Sequence, residues 1–106
     1  GGEDVIVSAD CASSLALVFN ELVQNALKYA FPSGQAGRIG IELHSGRPLC
    51  QRTVWDNGVG FQADRPRPGG AGLELASTIV REKLTGEWSV ESGPGGTRIS
   101  FDFLEQ

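Results

Sequence analysis

Residues 12–30, Ala-Ser-Ser-Leu-Ala-Leu-Val-Phe-Asn-Glu-Leu-Val-Gln-Asn-Ala-Leu-Lys-Tyr-Ala, carry the pattern on which the fold turns. Leu15, Phe19, Leu22, Ala26 and Ala30 recur at three- and four-residue spacing, the period of one helix face. The pattern predicts a helix from Ala12 to about Ala30, capped by Ser13 or Ser14 and ended by Pro32, Ser33 and Gly34. Successive side chains on a helix are about 100° apart, so Asn25 lies at about 40° and Lys28 at about −20° from Glu21. An acid, an amide and an ammonium thus share one narrow face. The amide oxygen of Asn25 is a hard ligand suited to Mg²⁺, which keeps most of its coordination for water and phosphate. Glu21 can orient or deprotonate a group near a metal, and Lys28 can neutralise a phosphate. Taken alone, the trio equally fits a solvated face with Glu-to-Lys pairing.

Working outward, Asp4 to Ser8 (DVIVS) reads as a short strand before the helix. Arg38 to His44 alternates, with Ile39, Ile41 and Leu43 on one side and Arg38, Glu42 and His44 on the other, as a half-buried strand does. Ser45-Gly46-Arg47-Pro48 turns the chain into a second strand over about Leu49 to Trp55. A loop rich in glycine and proline spans Asp56 to Gly72. A second amphipathic helix follows, with Leu73, Ala76, Val80 and Leu84 on its apolar stripe. Glu87 to Ser92 and Thr97 to Leu104 make a hairpin across Gly93-Pro94-Gly95-Gly96, with Ile99, Phe101 and Phe103 facing inward. Strands alternating with two amphipathic helices imply an α/β (α+β) two-layer sandwich: a mixed, mostly antiparallel sheet with helices on one face.

Three glycine segments can carry chemistry. Asp56-Asn57-Gly58-Val59-Gly60 follows a strand directly. Its glycines let a flat ligand approach the backbone, and Asp56 can accept a hydrogen bond from an exocyclic amine such as that of adenine. The same residues also make a plain Asn-Gly turn. Gly69-Gly70-Ala71-Gly72-Leu73 runs into the second helix, where first-turn N–H groups can receive an anion; as an alternative it is a flexible linker. No Gly-Lys-Ser/Thr follows, which excludes a Walker loop, and the glycine spacing is wrong for a dinucleotide fingerprint. Gly95-Gly96-Thr97 is a hairpin turn whose threonine can also place a hydroxyl or a bridging water at a ligand.

The chain has 106 residues, the size of one domain (1–106), and can bury roughly 65% of its unfolded surface, enough for one core. Hydrophobic residues at 40% and charged residues at 21% fit a soluble globular protein. A net charge of −4 argues against wrapping nucleic acid but not against a small phosphate site built from backbone N–H groups. Cys11 and Cys50 match no metal-ligand spacing and read as free thiols in a reducing compartment. No run approaches the ~18 apolar residues of a membrane span, so a cytoplasmic domain without direct membrane contact is expected. The Gly1-Gly2 opening looks appended, and a natural chain extending further upstream is expected.

Four segments occur in a specific order: Asn-Glu-Leu-Val-Gln-Asn-Ala-Leu-Lys-Tyr-Ala (20–30), Asp-Asn-Gly-Val-Gly-Phe (56–61), Gly-Ala-Gly-Leu-Glu-Leu (70–75) and Gly-Gly-Thr (95–97). That order resembles the gyrase, Hsp90, histidine kinase and MutL superfamily of ATP-binding domains, with the Bergerat-type fold. Within it the chain is similar to the catalytic domains of bacterial sensor histidine kinases. The Asn-Glu-Leu-x-x-Asn-Ala-x-Lys-x-Ala-Phe-Pro form resembles the subfamily with a HisKA_2-type dimerisation region.

The resemblance implies ATP and Mg²⁺ as ligands, with Asn25 as the metal ligand and Glu21 where related ATPases carry a general base. It implies Lys28 and Tyr29 on the phosphate and ribose side. It implies Asp56 on the adenine amine, Gly58 and Gly60 under the ring, and Thr97 near adenine. Gly70, Gly72 and Leu73 would open the helix that receives phosphate. The implied partners are a histidine-bearing dimerisation helix outside this chain and a response regulator. Two departures stand out: Phe61 to Gly69 is short for an ATP lid, with Arg65 and Arg67 either covering phosphates or solvated, and Glu74 replaces a small residue. His44 is the one histidine, and on a strand it reads as a surface residue rather than a phosphoacceptor. Two other functions fit the same motifs: an anti-sigma-factor serine kinase, and a non-catalytic module that docks a response regulator.

Overall fold

The computed structural model describes residues 7–32, 36–44, 49–60 and 71–104. Helix α1 spans Ala9–Tyr29, strands β1 and β2 span Ile39–His44 and Leu49–Asp56, α2 spans Ala71–Glu82, and β3 and β4 span Trp88–Gly93 and Gly96–Leu104. The four strands form one sheet in the order β1-β2-β4-β3, and every described pair is antiparallel.

Helix α1 starts earlier than its apolar stripe predicts. Ser8, not Ser13 or Ser14, is the N-cap: its backbone is extended and its hydroxyl accepts from the Cys11 N–H at 3.1 Å. Nothing between Ser8 and Ala12 breaks a helix, and Asp10 in the first turn complements the positive helix end. The predicted strand over Asp4–Ser8 therefore loses its end to the helix cap; residues 4–6 lie outside the described part.

The pairing register puts Cys50, Val54, Ile99, Phe101 and Phe103 on one face of the sheet, beneath both helices. Val18 and Leu22 of α1 and Ala76, Ile79 and Val80 of α2 close the core from above. Phe19 meets Phe101 edge to face at 5.6 Å, a geometry that adds to simple burial. Each large apolar side chain fully buried here is worth about 1.5–3 kcal/mol. Leu84 is buried just beyond α2, where the helix unwinds through Thr85 at φ +51°.

The stripe Ile39, Ile41 and Leu43 faces the helix side, as read, but only Ile39 packs against the core. Ile41 and Leu43 are 50% and 62% exposed, because α1 and α2 lie over β2, β4 and β3 and leave β1 as an uncovered edge. The opposite face is polar: Thr53 and Ser100 share a hydrogen bond of 2.9 Å, and Arg98 pairs with Glu42. Trp55 lies over Gly40, where a Cβ would collide with the indole.

Arg52 breaks the pattern by sitting on the helix side, 7% exposed. Its guanidinium lies 5.3 Å from the centre of the Phe103 ring and donates to the Gln51 carbonyl at 3.0 Å. Both cysteines are buried and neither is in a disulfide; burial, then the neighbouring Cys50, pushes the Cys11 thiol up. No described helix is long and apolar enough to cross a membrane.

The Ser8 cap is directly testable. Ser8→Ala should cost about 1 kcal/mol in urea unfolding and Ser8→Asp should retain most of it; an unchanged midpoint for Ser8→Ala would place the cap elsewhere.

Candidate functional site

The predicted residues form two groups. The first lies where the start of α2 crosses the C-terminal half of α1. Asn25 is 5% exposed, and its Oδ1 is fully buried without a hydrogen-bond partner among the described residues. Glu21, one turn earlier, is half-buried. Gly72 covers both: a Cβ there would stand 2.8 Å from Glu21 Oε2 and 3.7 Å from Asn25 Nδ2. The three-residue face of α1 therefore divides, since Asn25 turns under α2 while Lys28 stays exposed. Tyr29 is half-buried at the end of α1, and Leu73 packs against the core.

The second group stands at the C-terminal end of β2. Asp56 is 8% exposed, and its Oδ1 accepts from the Gly58 N–H at 2.9 Å, which fixes the carboxylate in an Asx turn. Thr97, 5% exposed, is its partner on β4, and Thr97 Oγ1 lies 2.7 Å from Ser92 Oγ on β3. A cavity of about 450 Å³ opens here, lined among others by Trp55, Asp56, Asn57, Ser92, Thr97 and Arg98. Its lining does not include Glu21, Asn25 or Gly72.

Three consecutive backbone amides fix the segment after β2. Asn57 N–H donates to Arg38 O at 3.2 Å, Gly58 N–H to Asp56 Oδ1, and Val59 N–H to Ala30 O at 2.9 Å. Arg38 N–H returns a bond to Asn57 Oδ1 at 2.7 Å. The segment after β2 is thereby seated on the C-terminal cap of α1, close to Asn25. Glycine is required for this seating at position 58, where a Cβ would run into Ala30. Gly96, at φ +133°, likewise lies against the Asp56 carbonyl, so the β3–β4 turn closes onto the same end. Gly70, Arg65 and Arg67 lie outside the described residues.

Two contributors escaped the sequence reading. Ser92 was read only as a strand end, although pairing across Gly93–Gly96 places it opposite Thr97. Asn57 was read as part of a turn, and its side chain locks that turn to Arg38.

Mg²⁺ fits the first group. A buried amide oxygen with no partner among the described residues is a suitable inner ligand for a hard cation. Among the described residues no group of three acidic, His or Cys side chains is placed to hold a metal.

Residues 11–106 match the family described as histidine kinase-, DNA gyrase B-, and HSP90-like ATPase. The chain belongs to this family. It is 36% identical to the swarming motility regulation sensor protein RssA of Serratia marcescens over 116 residues, covering 95% of this chain and 24% of that protein. The chain thus spans about a quarter of that relative's length. Its fold superposes on the histidine kinase domain of the Erythrobacter litoralis EL346 blue-light activated histidine kinase with a TM-score of 0.83. That match is 27% identical and covers 96% of this chain and 51% of the other. The histidine kinase ThkA, solved in complex with the response regulator protein TrrA, shares the fold at a TM-score of 0.70 and 21% identity, covering 87% of this chain and 28% of that one. The domain is therefore an ATP-binding domain of the histidine kinase type.

The glycines predict contrasting costs. Gly96→Ala should lose at least ~2 kcal/mol, because the offending neighbour is backbone and the φ angle is strained. Gly72→Ala should lose less than ~1 kcal/mol, since Glu21 can swing away and alanine favours the helix. Equal losses in denaturant melts would show that Gly72 is held by more than a flexible carboxylate.

Proposed function

We propose that this domain binds Mg-ATP across the two groups and presents the γ-phosphoryl to a histidine on a separate dimerisation helix of the HisKA_2 type. The observation that carries the reading is the buried Asn25 Oδ1 beside the start of α2. An acceptor in that setting is matched by a cation, and the helix start beside it supplies N–H groups for phosphate.

The remaining residues follow from their positions. Bound Mg²⁺ would supply charge neutralisation on the phosphate oxygens. Asp56, oriented by the Gly58 N–H, accepts from the adenine amine, while Gly58 and Gly60 let the loop pack against Ala30 and Gly93 and so shape the floor under the ring. Thr97 bonds the base from the neighbouring strand. Lys28 and Tyr29, at the end of α1, serve the phosphate and ribose side, and Gly72 and Leu73 in the first turn of α2 serve the phosphate, a role Gly70 would share. Glu21 takes or holds the proton of the attacking imidazole from its position beside Asn25. Catalysis of this kind rests on positioning and charge neutralisation. Phosphoryl would pass onward to a response regulator, in the cytoplasm where ATP is available. RssA, the EL346 kinase and ThkA are named as sensor proteins or histidine kinases, which favours this reading over the serine-kinase and docking-module alternatives.

Mg-ATP at 100 times its Kd should raise the unfolding free energy by about 2.7 kcal/mol. Asp56→Asn should weaken nucleotide binding by about tenfold or more, through loss of a charged acceptor. Asn25→Ala should retain some nucleotide binding but make it indifferent to EDTA. Calorimetric titration measures all three, and no thermal shift at millimolar Mg-ATP would falsify the assignment.

A further inference from the structure

Asp56, Thr97 and Ser92 form a row across β2, β4 and β3, on the same face of three neighbouring strands. All three line the cavity at the end of the sheet. Thr97 is nearly fully buried, and a hydroxyl so placed needs a fixed partner. Ser92 provides one at 2.7 Å. Threonine has three staggered side-chain positions, and a bond to one neighbour selects among them. A hydroxyl carries one hydrogen and two lone pairs, so Thr97 keeps a further hydrogen-bonding direction after engaging Ser92. Asp56 stands on its other side.

We infer that Ser92 is a positioning residue for base recognition: it holds the Thr97 hydroxyl so that Thr97 bonds a ring nitrogen of the purine whose amine Asp56 receives. This rests on the nucleotide reading above. Ser92 touches Thr97 and acts through it, which distinguishes it from the residues that meet the ligand. The arrangement favours a purine presenting an amine beside an acceptor nitrogen, the pattern of adenine. It disfavours guanine, which presents a carbonyl at that place.

The test compares wild type, Ser92→Ala and Ser92→Thr in titrations with ATP, 1-deaza-ATP and 7-deaza-ATP. Thermal unfolding confirms that each variant is folded. Ser92→Ala should weaken ATP by about three- to tenfold, the worth of one neutral hydrogen bond, and Ser92→Thr should restore it. For the analogue lacking the nitrogen that Thr97 reads, wild type and Ser92→Ala should bind alike; the other analogue should show the same loss as ATP. An equal loss for all three nucleotides means general damage to the cavity and overturns the inference. So does unchanged ATP affinity in Ser92→Ala, provided that Asp56→Asn still weakens binding. If wild type binds no ATP, the underlying nucleotide reading fails along with it.

Discussion

The site exists because the segment after β2 cannot move away from α1. Helices end with carbonyls that lack partners within the helix, and Ala30 finds one in the Val59 N–H. Its neighbours Asn57 and Gly58 send their amides to Arg38 and Asp56, so three successive donors have three different partners. Such a segment has almost no freedom left. The close approach is possible only with hydrogen at position 58, since any side chain would overlap Ala30. Asp56 is thereby held in a fixed relation to the helix that carries Glu21 and Asn25, through backbone rather than through a soft side-chain contact.

That constraint explains how an acidic chain can offer a place to a polyanion. The net charge of −4 describes the field far away, whereas a ligand at the site meets local dipoles. Gly72 at the start of α2 lies beside Glu21 and Asn25, and one oxygen of the Asp56 carboxylate is held by its own bond to the Gly58 N–H. Acidic groups on the far face of the sheet are handled separately, as in the Glu42–Arg98 pair.

Much of this was legible in the sequence because periodicity reports which side of an element is wet. The helix stripes and the β3–β4 hairpin follow from it, with Ala76, Val80, Ile99, Phe101 and Phe103 buried as read. Periodicity does not report where a helix begins, which is why Ser8 displaced Ser13 and Ser14 as the cap. Nor does it report lateral position in a sheet. Ile41 and Leu43 alternate as core residues do, yet an edge strand beyond the reach of both helices leaves them in solvent. Arg52 was unreadable for the opposite reason: its stem packs inside because Phe103 and the Gln51 carbonyl satisfy its charged end. Ser92 needed the register, since only pairing with Thr97 gives its hydroxyl a purpose.

Asn25 is the residue that stability alone would not select. It falls beside Val18 and Leu22 on the buried side of α1, where a leucine side chain would contribute to the core. An amide oxygen left without a partner in such a place costs about 1–3 kcal/mol. Neither Gly72 nor Glu21 relieves it: the glycine brings no side chain, and the carboxylate brings only further acceptors. A cation bound at that oxygen would remove the penalty and balance the Glu21 charge at once. A cation there would link folding to ligand occupancy through one buried atom.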